Sequence, residues 1–335
     1  MKIGTIDTRR SPLLIAEIGN NHEGDFGVAK RLVRAAATSG AHGVKFQTFR
    51  TDHYVSRDDE ARYQRLKSFE LTLDQFEELS KLARQLGLLF LSTPFDLESA
   101  SGLSRFVDAF KIASGDVDFY PLIECVLSYG KPIIVSTGAT NLEKVRTTVN
   151  FVNDRLGPQA NDLFALLHCV SSYPAPAGEI NLCSIPFMHD EFGVSVGFSD
   201  HTSGIEASTL AVAIGAEIIE KHFTLDKNYS TFRDHQLSAD PEEFRALAEK
   251  ITAVRLMLGS RSKSVQPSEA SSELSIRRSI VAARSMSAGE QISAGDLTWI
   301  RPRIGLAPGA EDKLIHRKLR KAVDFGDPIL LEDCE

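Results

Sequence analysis

The chain has 335 residues, 42% of them hydrophobic and 25% charged, which is typical of a folded globular protein with room for one large domain and a small one. Its formal net charge of −7 argues against a nucleic-acid-binding surface, although it leaves room for a local basic pocket. A signal-peptide pattern and an apolar run of membrane-spanning length are absent, and the four cysteines lack paired spacing, so we expect a cytoplasmic protein with free thiols.

Eight short apolar runs recur along the first two-thirds of the chain, and each is followed within two residues by Gly, Ser, Thr, Asn or Asp. Nearly continuous hydrophobicity is what parallel strands buried on both faces require. The runs therefore predict eight buried strands, at residues 13–19, 43–49, 88–94, 109–115, 132–138, 163–169, 193–200 and 216–224.

Amphipathic helices are predicted between these runs, at residues 26–39, 72–86, 203–214 and 241–258. Thr72 and Gln75 have the spacing of a capping box at the start of the second helix. Eight strand–helix units in about 255 residues predict an α/β fold of the (β/α)₈ TIM-barrel type. A doubly wound open sheet is the alternative, but the first turn, EIGNNHEG, lacks the glycine pattern of that fold.

A change in composition after the last helix predicts a second domain. Residues 259–275 are polar and rich in serine, as linkers are, so the barrel is expected to span residues 1–258. Residues 276–335 contain short strand-like runs at 279–283, 297–300, 322–323 and 328–331. They predict a small β-rich domain that is only marginally stable alone.

Polar residues collect at the carboxyl ends of the predicted strands, where barrel enzymes carry their active sites. Lys45 and Lys111 stand inside apolar runs, and a charged side chain is costly there unless it is paired or meets a ligand. A single such lysine is most simply explained by a core carboxylate. Two lysines beside many hydroxyl groups favour a site for a carboxylate or phosphate group.

Two histidines, His201 and His222, end neighbouring predicted strands, so both imidazoles can reach one ion. Two imidazoles with oxygen ligands suit Mn²⁺, Fe²⁺, Co²⁺ or Zn²⁺, whereas a lone histidine would more often be an ordinary hydrogen-bonding residue. Glu17 and Glu23 are candidates for a general base, with a third metal ligand as the competing role. Lys221 is interpreted as an outward-pointing structural residue.

Eight strings in order, IAEIGNNHEGD, VKFQTF, STPFD, KIASGD, PIIVSTG, LLHCVSSYP, GFSDHT and EKHFTLDK, resemble the sialic acid synthase family. The tail, RRSIVAARSMSAGEQISAGDLTWIRP followed by GLAPG, resembles the antifreeze-like (SAF) domain that ends that family's proteins. The resemblance implies a TIM barrel followed by a SAF domain. It also implies a synthase that condenses phosphoenolpyruvate with an acetamido-sugar aldehyde and water, releasing phosphate by C–O cleavage.

The resemblance also implies roles for individual residues. Glu17, Lys45 and Lys111 match catalytic positions, and His201 and His222 match the ligands of a divalent metal, Mn²⁺ or Mg²⁺, with Co²⁺ as a further option. Phosphoenolpyruvate contacts carry over to Lys45, Thr93, Lys111, Ser114, Ser136, Ser171 and Ser199. Sugar-facing positions carry over to Gln47, Tyr173, Asp234 and, from the partner of a domain-swapped homodimer, Arg301.

The chain departs from the family pattern where the sugar is expected. Ser171 stands where the family often has Asn, Phe232-Arg233 where many members have Gly-Pro, and residues 52–67 lack an Asn-bearing insert found in some members. The sugar therefore stays open between N-acetylmannosamine, which gives N-acetylneuraminate, and a diacetamido-dideoxy hexose, which gives a legionaminic- or pseudaminic-type acid.

Three rival readings are compatible with parts of the sequence. One is condensation of phosphoenolpyruvate with a phosphorylated sugar such as arabinose 5-phosphate, against which the SAF-like tail argues. Another is a Schiff-base aldolase that uses Lys45 or Lys111. The third is ice or carbohydrate binding by the tail, which would leave the polar end of the barrel without a purpose.

Overall fold

The computed structural model describes all 335 residues, which divide into two compact units, Met1–Gly259 and Ser260–Glu335. The first unit is a closed barrel of eight parallel strands, preceded by a two-stranded antiparallel hairpin. The predicted (β/α)₈ barrel is confirmed. The hairpin strands are β1 (Lys2–Ile3) and β2 (Ile6–Asp7), and the barrel strands are β3 (Leu13–Gly19), β4 (Gly43–Thr48), β5 (Leu89–Pro94), β6 (Ala109–Ile112), β7 (Ile133–Ser136), β8 (Phe164–Cys169), β9 (Ser195–Asp200) and β10 (Ile218–His222).

Helices surround the barrel, and the sequence sets their ends. Thr72 accepts from the Gln75 backbone N–H while the Gln75 side chain accepts from Thr72, as the predicted capping box requires. The predicted helix 203–214 is shorter in the structure. The helices are α1 (Phe26–Thr38), α2 (Thr51–Tyr54), α3 (Glu60–Phe69), α4 (Leu73–Gln85), α5 (Leu97–Leu103), α6 (Tyr120–Leu127), α7 (Leu142–Leu156), α8 (Ala160–Leu163), α9 (Ser184–Phe192), α10 (Glu206–Ala213), α11 (Arg233–Leu237) and α12 (Pro241–Leu258). No helix of the chain is both long enough and apolar enough to cross a membrane.

The side chains that point into the barrel change from apolar to polar along each strand, so the interior has an apolar half and a polar half. Successive side chains point to opposite faces of a strand, so residues two apart share a face. On β3, Leu13 and Ile15 belong to the interior apolar cluster, and Glu17, the next residue on that face, lines a cavity. On β10, Ile218 is followed in the same way by Glu220. The interior therefore changes from apolar to charged toward the carboxyl ends of the strands.

The hairpin closes the amino-terminal end of the barrel. Met1 and Ile3 are fully buried and pack into the same interior apolar cluster as Leu13 and Leu91. The amino group of Met1 donates to Ser195 Oγ at 2.6 Å. Solvent therefore reaches the barrel interior from the opposite end, where the polar residues lie.

The face of the strands that points away from the barrel axis packs against the helices and holds one buried ion pair. Lys221 Nζ lies 3.3 Å from Asp200 Oδ2, and both side chains are fully buried. Asp200 also accepts from the hydroxyl group of Ser208 on α10 at 2.6 Å. Lys221 thus points outward from the barrel, as predicted, but it lies in the layer between strand and helix and does not reach solvent.

The second unit is small and β-rich. Its sheet pairs β11 (Ser279–Ala282) with β12 (Leu297–Ile300) in antiparallel fashion, after a short helix, α13 (Glu273–Ile276). The predicted runs at 322–323 and 328–331 form isolated bridges, Met286 with Val323 and Val281 with Pro328. An apolar cluster that includes Ile280, Ile292 and Leu314 gives the unit its own core.

Candidate active site

A cavity of about 1100 Å³ opens at the carboxyl ends of the barrel strands. All the site residues predicted within the barrel line it except Thr93, whose hydroxyl group accepts from Lys45 Nζ at 3.1 Å. Arg301 follows β12 in the second unit. The residues that line the cavity are Glu17, Lys45, Gln47, Lys111, Ser114, Ser136, Ser171, Tyr173, Ser199, His201, His222 and Asp234.

Two lysines and two carboxylates form the bottom of this cavity, and we call Glu17, Lys45, Lys111 and Glu220 the floor cluster. Lys45 Nζ lies 2.7 Å from Glu17 Oε2 and 3.9 Å from Glu220 Oε2. Lys111 Nζ lies 3.9 Å from Glu220 Oε1. All four residues are at least 95% buried. Burial disfavours the charge of both lysines, but Glu17 and Glu220 outweigh it at Lys45 and raise the pKa of that residue. At Lys111 burial prevails over Glu220 and lowers the pKa.

Hydroxyl groups complete the surroundings of the floor cluster. Lys111 Nζ donates to Ser136 Oγ at 2.6 Å, and Ser199 Oγ donates to Glu220 Oε1 at 2.9 Å. Gly138 N donates to Ser114 Oγ at 3.0 Å. A Cβ atom on Gly138 would come within 2.3 Å of Ser171 Oγ, so only glycine lets the backbone approach these serines. The arrangement provides two cations and several hydroxyl groups for a small anion.

Burial changes the proton affinities of the floor cluster. It raises the pKa of Glu17 to about 7, against the opposing effect of Lys45. Burial also favours a higher pKa for Glu220, but the positive charges of Lys111 and Lys45 outweigh it and hold the pKa of that carboxyl group below its usual value. Two carboxylates in one site thus differ in acidity, and Glu17 is the one suited to exchanging a proton near neutral pH.

His201 and His222 face each other on one side of the cavity, with ring centroids 5.5 Å apart. His201 Nδ1 donates to the Val170 carbonyl at 2.8 Å, which leaves Nε2 as a free acceptor. His222 Nδ1 is buried and has no hydrogen-bond partner. Burial also lowers the pKa of His222 well below its usual value, so the ring is neutral at pH 7. At His201 burial is outweighed by the neighbouring Cys169, which raises the pKa of that ring. Two imidazoles that face each other across the cavity fit a divalent cation, which would bind each ring in its neutral form.

The protein offers that cation only part of a coordination sphere. No group of three or more His, Cys, Asp and Glu side chains is placed to hold a metal. Glu23, considered above as a third ligand, instead accepts from His235 Nε2 at 3.0 Å. Water and substrate oxygen atoms would fill the remaining positions, as in catalytic metal sites that keep open positions.

An aromatic and basic wall forms the outer part of the cavity. Tyr173 lies over His201, with ring centroids 4.1 Å apart, and the Arg233 guanidinium lies 4.7 Å from the Tyr173 ring centre. Burial raises the pKa of Asp234, which ion-pairs with Arg233 at 3.3 Å. Further wall residues to which the sequence assigned no role include Tyr54, Arg62, Arg65, Leu66, Phe69, Phe95 and Phe232.

Three further lining residues were given no role at the level of the sequence. Glu220 and Cys169 share the inward face with Ile218 and Leu167, so the two-residue alternation along β10 and β8 could have identified them. Asn20 lies in the turn after β3, where no such periodicity applies.

Comparisons with known proteins identify the family of the chain. The NeuB family model matches residues 32–263, and the SAF domain model matches residues 277–335. The chain belongs to the NeuB family. Both the resemblance to sialic acid synthases and the SAF assignment of the second unit are thereby confirmed.

Two relatives of this NeuB-family chain are named N,N'-diacetyllegionaminic acid synthase. The one from Legionella pneumophila is 39% identical over 351 aligned residues, covering 100% of this chain and 98% of the relative. The one from Campylobacter jejuni is 39% identical over 312 aligned residues, covering 89% of this chain and 92% of the relative. The crystal structure of N-acetylneuraminic acid (sialic acid) synthetase from Leptospira borgpetersenii, in complex with citrate, is similar with a TM-score of 0.74 and 32% identity, covering 81% of this chain and 94% of that one.

Proposed function

We propose that this chain is a nonulosonate synthase that condenses phosphoenolpyruvate with an N-acetylated amino-sugar aldehyde and water, releasing phosphate. The observation that carries the proposal is the floor cluster, with its two lysines and surrounding hydroxyl groups, beside the imidazoles of His201 and His222. Named synthases of this kind among the relatives support it.

The two lysines and the serines bind the anionic groups of phosphoenolpyruvate. Lys45 and Lys111 supply the charge, while Ser114, Ser136 and Ser199, together with Ser171, supply hydrogen bonds to carboxylate and phosphate oxygens. Thr93 orients Lys45 through the hydrogen bond between them. Holding the enol phosphate still at the bottom of the cavity places its C3 toward the open end, where the aldose enters.

Carbon–carbon bond formation joins C3 of phosphoenolpyruvate to the aldehyde carbon, and water adds at C2. The C2–O bond to phosphate then breaks, and phosphate leaves with the bonding electron pair. The water gives up two protons. One goes to the aldehyde oxygen, and the other leaves the C2 hydroxyl group as the ketone forms and goes to the departing phosphate, so protons balance within the site. Glu17, with its raised pKa, holds and moves a proton beside C2 and stabilises the positive charge that develops there.

His201 and His222 would hold a divalent cation, Mn²⁺ or Mg²⁺ with Co²⁺ as a further option, which supplies Lewis-acid polarisation of the aldehyde oxygen. Gln47, Tyr173 and Asp234 orient the sugar. Arg301 is assigned to the sugar of a partner subunit in a domain-swapped homodimer. We also place the enzyme in the cytoplasm and assign residues 259–275 as the linker between barrel and SAF domain.

The test is a phosphate-release assay with phosphoenolpyruvate and a panel of aldoses. N-acetylmannosamine, a diacetamido-dideoxy hexose and arabinose 5-phosphate separate the candidate substrates, and mass spectrometry identifies the acid formed. We expect release with an acetamido sugar. Release with arabinose 5-phosphate alone would overturn the choice of sugar, and trapping of Lys45 or Lys111 by borohydride with pyruvate would favour the Schiff-base aldolase.

A further inference from the structure

Asn20 carries a buried hydrogen-bond acceptor that has no partner in the protein. The residue lies in the turn after β3 and is only 6% exposed, yet it lines the cavity. Its Nδ2 donates to Gln47 Oε1 at 2.8 Å, while its Oδ1 is buried without a partner. A buried acceptor left unsatisfied destabilises the folded protein, so such an atom in a cavity calls for a donor from outside the chain.

The neighbours of Asn20 fix the orientation of this acceptor. Gln47 Nε2 donates to Glu17 Oε1 at 3.5 Å, so the Gln47 amide presents its oxygen to the Asn20 amino group. That contact in turn directs the Asn20 oxygen away from Gln47. Gly19 has a φ of +53°, and a Cβ atom there would come within 2.9 Å of Glu17 Oε1. The chain therefore turns tightly enough to bring Asn20 beside the residues of the floor cluster.

Glu23 adds a second group of the same hydrogen-bonding character. Its backbone N–H donates to the Asn20 carbonyl at 2.9 Å, so one turn carries both side chains. Glu23 Oε1 accepts from His235 Nε2 and from the Ser230 hydroxyl group, and its side chain lines the cavity. This stretch of wall therefore presents an amide oxygen and a carboxylate, both of which accept hydrogen bonds. It matches hydroxyl or amide N–H groups and repels phosphate.

We propose that Asn20 is a specificity-determining residue whose Oδ1 accepts a hydrogen bond from a donor of the aldose, a hydroxyl group or an acetamido N–H. The inference rests on the proposed function and names a contact within that same site. A site built to bond a substrate donor discriminates strongly against analogues that lack it, because the protein acceptor is then left unpaired. Asn20 would in this way contribute to the choice of sugar without acting on phosphoenolpyruvate.

The test must separate a direct contact from an effect transmitted through Gln47. Steady-state kinetics are therefore measured for the unaltered full-length enzyme, Asn20→Leu, Gln47→Leu and the double variant, with each substrate varied in turn. If Asn20 acts only by orienting Gln47, then Asn20→Leu has no further effect in the Gln47→Leu background. If it contacts the aldose, kcat/KM for the aldose falls about 10-fold in either background, as expected for one lost hydrogen bond, while the KM for phosphoenolpyruvate stays unchanged.

Comparing N-acetylmannosamine with mannose identifies the donor. A penalty confined to the acetamido sugar assigns the amide N–H, whereas an equal penalty with mannose assigns a hydroxyl group. An unchanged aldose kcat/KM in Asn20→Leu, or a loss only where Gln47 is present, overturns the inference and leaves the proposed function standing. Absence of phosphate release with every acetamido sugar in the unaltered enzyme overturns the proposed function, and this inference with it.

Discussion

The buried pair of Lys221 and Asp200 gives a prediction for barrel stability. Lys221 Nζ lies 3.3 Å from Asp200 Oδ2 and also donates to the Thr202 carbonyl at 2.6 Å, and both charged side chains are fully buried. Replacing Lys221 by Met leaves the Asp200 carboxylate without its cation. Breaking a buried pair in this way destabilises a protein by roughly 3–5 kcal/mol. For a domain of this size, 1 kcal/mol shifts Tm by about 2–4 °C, so we expect Tm to fall by about 6–20 °C.

A matched exposed pair serves as the control. Lys144 Nζ lies 2.7 Å from Asp118 Oδ2, but the two side chains are 48% and 45% exposed. Solvent screens exposed pairs and they contribute little to stability, so Lys144→Met should lower Tm far less than Lys221→Met does. The single tryptophan, Trp299, lies in the second unit. Far-UV circular dichroism therefore follows mainly the helices of the barrel, while tryptophan fluorescence follows the SAF domain.

The origin of the loss is tested by a second substitution. Adding Asp200→Asn to Lys221→Met removes the uncompensated charge while keeping a side chain that can bond Thr202 and Ser208. We expect the double variant to have a higher Tm than Lys221→Met alone, recovering part of the loss. Equal shifts for Lys221→Met and Lys144→Met, or no recovery in the double variant, would show that the ion pair does not stabilise the barrel as argued.

Three further predictions concern the active site. His222→Ala should abolish calorimetric binding of Mn²⁺ and metal-dependent turnover with the barrel still folded, and activity that survives both chelation and the substitution would contradict the metal role. Arg301→Ala should raise the KM of the aldose more than that of phosphoenolpyruvate, and equal increases would count against a sugar contact. Because burial holds the pKa of Glu17 near 7 and a bound anion raises it further, phosphoenolpyruvate should bind with proton uptake and more weakly as the pH rises above about 7. Calorimetry in two buffers of different ionisation enthalpy measures this uptake, which Glu17→Gln should remove.

The barrel could be predicted from the sequence because its strands are buried on both faces and read as separate apolar runs. The predicted ends of the strands differ from the ends seen in the structure. Residues 109–115 were expected to form one strand, but β6 stops at Ile112 and a 3₁₀ turn, Ser114–Asp116, follows. That turn brings Ser114 against Gly138, so the shorter strand contributes to the site.

Side chains on loops could not be placed in the same way. Lys45 can be identified as a charged residue within an apolar run, whereas Asn20 and Phe232 come from segments without regular spacing. Their arrangement depends on packing between segments that are distant in sequence, such as the contact of Phe69 with Phe232, whose rings lie 5.4 Å apart. Sequence periodicity holds no information about such contacts.

The charge balance of the floor cluster limits which ligands the cavity can bind. Two lysines face two carboxylates there, so the resting cluster is close to neutral when Glu17 is ionised. A ligand with one negative charge gains little binding free energy, because each lysine already has a carboxylate partner at 2.7 to 3.9 Å. A ligand with a carboxylate and a phosphate engages both lysines at once. Protonation of Glu17 then removes the repulsion between its carboxylate and the anionic ligand. The same carboxylate that neutralises Lys45 in the resting site therefore acquires, on binding, the proton that the condensation needs.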